Sequence, residues 1–252
     1  MPRLGRAQPF PPKFRRPKLP FLTTVVFDSA ATSGYEASLS SYNFNITISA
    51  NANRTLLVGV GLFATGTVSS MTAGGTATTF VRSDTNGIYR SEIWRLIAPA
   101  TGVVNVAVTL SASLTSIANA CSYYNTDQVA LDANNGNNGT NTPASASITT
   151  NANLCTVFGN LAAQSASGIT SASGQFSRTI NSGALGTDAS DDFGDVSPAG
   201  SKTFTWNGLG TLDSWAVSLV ALRPPQPIVL SPATWMTDMD RAPIIQKILI
   251  VY

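Results

Sequence analysis

There is no histidine in this 252-residue chain, and only two of its 13 acidic residues, Glu36 and Glu92, are glutamates. The first absence excludes serine triads, cysteine–histidine dyads, imidazole zinc sites and the commonest general base. The second leaves little material for a glycosidase built on paired carboxylates, because the remaining acids are aspartates, mostly in turn-like stretches. Also missing are Gly-x-Ser-x-Gly, Gly-x-Gly-x-x-Gly and any Gly-Lys pair, and with them the nucleophile elbow, the dinucleotide fingerprint and the phosphate loop. The expectation is a protein without catalytic chemistry and without a cofactor.

Charge is scarce as well: 11 % of residues are Asp, Glu, Lys or Arg, where roughly 25 % is usual. Ala, Ser, Thr, Asn and Gly take their place, a composition that disfavours helix and suits short strands joined by many turns. Two cysteines, Cys121 and Cys155, fit one disulfide or two buried thiols, and the reduced, buried state is preferred because each sits in a strand-like segment. No uninterrupted apolar run follows the basic start, so no signal peptide is expected. The apolar run at the other end, Ile244 to Tyr252, is well short of the roughly 20 residues that cross a bilayer, which points to a soluble chain.

What is present is concentrated at the ends. Residues 1–20 hold six of the 15 cations (Arg3, Arg6, Lys13, Arg15, Arg16 and Lys18), six of the 14 prolines and no acid. Proline denies the stretch helix and sheet hydrogen bonds and it has little apolar surface to bury, so it reads as an extended arm seeking a partner. Phe10 and Phe14 can anchor in pockets while the cations meet surface acids, which favours a protein partner over nucleic acid. The C-terminal stretch 224–252 contains five prolines after Arg223 and then Ile244, Ile245, Ile248, Leu249, Ile250, Val251 and Tyr252, the most β-prone run of the chain. Such a segment must pair with an edge, its own or a neighbour's.

Between these ends, residues 21–223 read as one antiparallel, all-β sandwich. Strands are expected at 21–27, 43–49, 55–62, 68–71, 76–82, 90–97, 103–110, 116–124, 154–162, 202–206 and 214–222, about ten residues per strand and turn. Phe44, Ile46 and Ile48 alternate with polar residues, the mark of a half-buried strand. Residues 55–62 are apolar on both faces, so they belong in the centre. Gly74-Gly75 and Asn86-Gly87 are hairpin signals, whereas Asp132 to Gly139, rich in Asn and Gly, reads as a break.

Three weaker features remain. Asp188, Asp191, Asp192 and Asp195 form the one acidic cluster, a weak calcium candidate on an expected loop that matches no EF-hand spacing. Tyr35, Tyr42, Tyr123, Tyr124, Trp94 and Trp206 could stack on sugars, although strand aromatics are more often core. Three Asn-x-Thr sequons, at Asn45, Asn53 and Asn138, are what chance yields in so Asn- and Thr-rich a chain.

The succession Leu56-Leu57-Val58-Gly59-Val60-Gly61, Met71-Thr72-Ala73-Gly74-Gly75, Glu92-Ile93-Trp94-Arg95-Leu96 and Trp215 to Leu222 resembles a jelly-roll-like β-sandwich module of tailed-bacteriophage virion proteins and of bacterial surface proteins. Residues 1–10 also resemble the starts of small phage virion proteins. The resemblance implies a jelly-roll-like sandwich with an extended N-terminal arm and a C-terminal extension. It also implies a non-enzymatic virion protein, a decoration or cement protein whose extensions bind the major capsid protein or another virion protein. A virion location, with assembly in the host cytoplasm, and symmetric clustering, trimers for instance, follow from the same resemblance. The alternative is a glycan-binding module of a tail fibre or bacterial surface protein, with the loop Asp132 to Asn141 on the sugar. A third reading is a nucleic-acid-binding structural protein working through the arm.

Overall fold

The structure is a computed structural model that describes residues 23–164 and 168–226. Among them there is no helix, and the strands in chain order are β1 (Val26–Thr32), β2 (Glu36–Ile48), β3 (Thr55–Phe63), β4 (Val68–Ala73), β5 (Thr76–Ala77), β6 (Thr79–Asn86), β7 (Tyr89–Ile97), β8 (Gly102–Tyr124), β9 (Ala133–Gly139), β10 (Ala144–Thr149), β11 (Cys155–Ala163), β12 (Thr170–Ser171), β13 (Phe176–Gly183), β14 (Gly186–Val196), β15 (Ser201–Asn207) and β16 (Trp215–Leu222). Every pairing is antiparallel.

The expected all-β antiparallel sandwich forms, and it forms twice. In the first module β8 is long enough to serve two sheets: residues 102–110 pair with β2 and β4, and residues 116–124 pair with β1 and β3. The outer sheet is completed by β5 on β4, and the inner one runs β6-β7-β3-β8-β1. In the second module β15 takes the place of the first half of β8, pairing with β10 and β12, and β16 takes the place of the second half, pairing with β9 and β11. Its inner sheet runs β13-β14-β11-β16-β9, strand for strand the order of the first.

Each module has its own core between its two sheets. Leu56, Val58, Val60 and Leu62 of β3 meet Ile46, Ile48, Val106 and Trp94 in one; Val157, Leu161, Val217, Leu219, Phe204 and Trp206 fill the other. The inner sheets then stack on each other, so their strands are covered on both faces and all nine residues of β3 and of β11 are buried. Leu57, Ile93, Cys121, Tyr123, Phe158, Val220 and Leu222 form the apolar part of that inter-module seam, with Phe63, Ile117 and Ala162 beside it. The two-faced apolarity of residues 55–62 is thus explained by four stacked layers rather than two.

The hairpin signals hold for a steric reason. Gly74 and Gly75 both have positive φ (57° and 77°) in the two-residue turn between β4 and β5, and Gly87 (φ 61°) turns β6 into β7. Three expectations are corrected. Residues 103–110 and 116–124 are one strand, not two. Asp132 to Gly139 is not a break, since 133–139 form β9. Asn and Gly are poor strand formers, but here the backbone of β9 pairs with β16 from Ala133↔Ala221 to Gly139↔Trp215. Asn135 and Asn137 donate their amides to the Ser147 and Ser145 carbonyls of β10, closing the corner between the two sheets. Thirdly, the acidic run expected on a loop lies on β14.

Candidate functional site: an attachment pole and an apolar groove

The partner-binding residues expected in the arm (Arg3, Arg6, Phe10, Lys13, Phe14, Arg15, Arg16, Lys18) and in the C-terminal strand (Ile244, Ile245, Ile248, Leu249, Ile250, Val251, Tyr252) lie outside the described residues. What the structure places is the root of each extension. Val25, the residue before β1, is buried; its carbonyl accepts from the Thr156 hydroxyl (3.2 Å) and its N–H donates to the Leu154 carbonyl (3.4 Å). Thr156 is paired across the ladder with Leu222, the last residue of β16. Both ends of the body therefore meet at a single residue, and the two extensions leave from the same pole.

That pole is well built. Asp127, in the segment joining the modules, caps the Val129 and Ala130 N–H groups (2.7 and 3.2 Å) and takes the Arg223 guanidinium at 2.9 Å. Burial opposes ionisation of its carboxyl, but these donors outweigh it and hold the pKa below the ordinary carboxylate range. The Asp127 N–H donates to the Arg223 carbonyl (2.8 Å), and the Asp127 carbonyl accepts from Arg95 Nη2 (2.8 Å). Pro224 is buried, and Gln226, the last described residue, is exposed.

Beside the pole opens a groove of about 470 Å³ lined by Thr79, Phe80, Val81, Arg95, Leu96, Ile97, Val129, Leu131 and Asn134. Phe80 (46 % exposed), Ile97 (37 %) and Val129 (87 %) bring three exposed apolar side chains into this one depression. Phe80 rests edge-on against Trp94, with ring centroids 5.4 Å apart. Arg95, its side wall, is buried, and its Nε finds no acceptor.

The acidic cluster does not converge. Asp188 and Asp192 face the inter-module seam, Asp191 faces the other way toward Gln175 of its own module (2.8 Å), and Asp195 is exposed with φ 53°. No group of three or more His, Cys, Asp or Glu among the described residues is placed to hold a metal ion. Asp192 is instead the acceptor for Arg178 (2.7 and 2.8 Å) and for the Tyr123 hydroxyl (3.0 Å), and Arg178 lies 3.7 Å from the Phe27 ring centroid. Asp188 is fully buried beside Asn160, Asn119 and the Gly61 backbone, and burial outweighs these donors and lifts its pKa well above the ordinary carboxylate range.

The remaining candidates resolve into packing. Tyr42, Tyr123, Trp94 and Trp206 are buried, and Tyr35 is half-buried, its ring occupying the space that a Cβ on Gly183 would need. Cys121 is free in the seam and Cys155 is free in the second core, where burial pushes its thiol pKa up to about 12. Sequence reasoning missed the groove because its wall joins the β6–β7 hairpin to the inter-module segment, which lies well beyond it along the chain. It also missed Arg178 as a seam residue, since a lone arginine between polar residues gives no signal.

Comparison of the chain with protein families, with curated proteins and with solved structures finds no match.

Proposed function

We propose that this is a non-enzymatic structural protein of a virion, a decoration or cement protein of a tailed bacteriophage, in which the duplicated sandwich is the displayed body and the terminal extensions are the means of attachment. The observation that carries this reading is the common root of the two extensions at Val25, Thr156 and Leu222. Two tethers leaving one pole engage one neighbouring surface and leave the opposite pole outward, and linked contacts raise the effective concentration at each weak site. The partner is then the major capsid protein or another virion protein, with several copies clustered by the symmetry of the shell.

The composition supports the same view. The cations of residues 1–20 sit on the arm, whereas the rest of the chain has nine cations against 13 acids. A glycan-binding body is less well supported, because the residues assigned to it are otherwise engaged. The Asp132 carboxylate accepts from the Asn151 and Ala152 N–H groups (2.6 and 3.0 Å), and Asn135 and Asn137 are bonded to β10.

Deleting residues 1–20 should leave the thermal unfolding of the body unchanged and abolish its binding to particles assembled without it, measured by co-sedimentation. Full decoration by the truncated protein would refute the attachment role of the arm.

A further inference from the structure

The groove beside the pole has the character of a peptide site rather than of a small-molecule pocket. It opens where the start of β6 and the end of β7 meet the inter-module segment, and Phe80, Leu96, Ile97, Val129 and Leu131 give it a largely apolar lining beside the polar Thr79, Arg95 and Asn134. An apolar segment supplies side chains that match this lining. We propose that in the free protein this groove is occupied by the chain's own C-terminal segment, Ile244 to Tyr252.

Three observations select that occupant. The segment is apolar at seven of nine positions (Ile244, Ile245, Ile248, Leu249, Ile250, Val251, Tyr252), which matches the lining. Its tether starts next to the groove, since Arg223 and the groove residue Arg95 hold the same residue, Asp127, from two sides, and Leu131 of the lining precedes Asp132, whose N–H donates to the Ala221 carbonyl. The tether is long enough: the 18 residues from Gln226 to Ile244 span up to roughly 60 Å when extended. Docking within one chain then proceeds at an effective concentration in the ~mM range, which a second copy in dilute solution does not reach. This goes beyond the virion reading and does not depend on it. It concerns the free protein, before either extension engages a neighbouring surface.

The test is a disulfide trap in the full chain. Val129→Cys with Ile248→Cys should close an intramolecular bond under mild oxidation at least about tenfold faster than the control pair Leu212→Cys with Ile248→Cys, because the Leu212 loop precedes β16 at the opposite pole. Cys121 and Cys155 are buried and do not compete. Adding Phe80→Ser, a partly exposed position, should slow closure several-fold. Equal rates for the two pairs, no closure at all, or no effect of Phe80→Ser would overturn the proposal. Disulfide-linked dimers as the main product would overturn it in favour of a neighbouring copy's segment. Particle binding by the arm-deleted protein is read separately, so failure of one proposal leaves the other standing.

Discussion

Module 1 passes from its outer to its inner sheet on a single 23-residue strand, β8, whereas module 2 makes the same passage on β15 and β16 with a loop, residues 208–214, between them. The seam residues diverge further. Where the inner strands cross, module 1 offers Gly59 and Gly61, and module 2 offers Asn160 and Asp188 in the space those glycines vacate. A Cβ on Gly59 would lie 2.1 Å from Asn160 Oδ1, and one on Gly61 would lie 2.5 Å from Asp188 Oδ2. Asn160 is locked there by Ser190 (2.7 Å) from its own module and Ser91 (3.2 Å) from the other. Elsewhere on the seam the roles reverse, with Asp84, Tyr35 and Phe63 of module 1 filling the space beside Gly136, Gly183 and Gly186 of module 2, so the two copies meet through different knobs and hollows on each side. The lesson is that the pairing diagram makes a module, while small-against-large complementarity decides which module it stacks on.

The most direct way to break this complementarity is to fill one of the hollows. Gly59→Val should cost about 4 kcal/mol, from overpacking and disruption of the Asn160 hydrogen bonds, and lower the melting temperature by about 10 °C. Adding Asn160→Gly should recover part of that loss, and a coupling energy above about 1 kcal/mol in the double-mutant cycle would mark a direct contact.

Next in size is the seam's ion pair. Arg178→Ala leaves the Asp192 carboxylate buried without its bidentate partner and removes the Phe27 contact, an expected loss of about 3 kcal/mol by denaturant unfolding. Arg90→Ala in module 1 should cost less. There one N–H···O bond to Glu92 (2.6 Å) is lost rather than two, and Arg90 is not stacked on a ring as Arg178 is on Phe27.

Asp188→Asn sharpens the comparison in the opposite direction. The folded state raises the pKa of Asp188, so it keeps a proton that the unfolded chain releases above about pH 4. Its contribution is complete below the unfolded pKa and declines as pH rises toward the folded one, by up to about 1.4 kcal/mol per pH unit. The Asn variant should be more stable than the parent at pH 7 by at least about 1 kcal/mol, with the difference vanishing near pH 4. An equal gain at both pH values would show that the carboxyl is not carrying a proton in the fold. The smallest effect belongs to the sheet corners. Asn135→Ala and Asn137→Ala should each cost about 1 kcal/mol, and Ser29→Ala, which loses the 2.6 Å bond to the Thr47 carbonyl at the matching corner of module 1, no more than that.

Much of the fold was legible because it is local. Phe44, Ile46 and Ile48 alternate in the sequence and alternate in burial, and Gly74-Gly75 and Asn86-Gly87 mark turns because φ > 0 is a property of single residues. What escaped is what depends on partners. β9 reads Ala-Asn-Asn-Gly-Asn-Asn-Gly and has no strand propensity, yet it is held by β16 on one side and by its own amides on β10. The duplication escaped for the same reason, since the two modules share pairings more than residues; a short echo such as Asn51-Ala52-Asn53 and Asn151-Ala152-Asn153 is too brief to stand out in an Asn-rich chain. Of the candidate sites, the extensions are marked by composition and lie outside the described residues, whereas the groove depends on a hairpin and a distant segment brought together by folding.

By itself the chain's order of residues determined the class of structure, the turns, the apolar faces, the absence of imidazole chemistry and the charge contrast between arm and body. These follow from side-chain chemistry and short-range sterics, which need no knowledge of the neighbour. Only the tertiary structure decided that there are two modules and that their inner sheets share a seam. It also decided that three acids of one short run face opposite ways, and that both extensions depart from one pole. Each of those depends on which distant strand lies alongside, and that is settled by burial and packing of the whole chain.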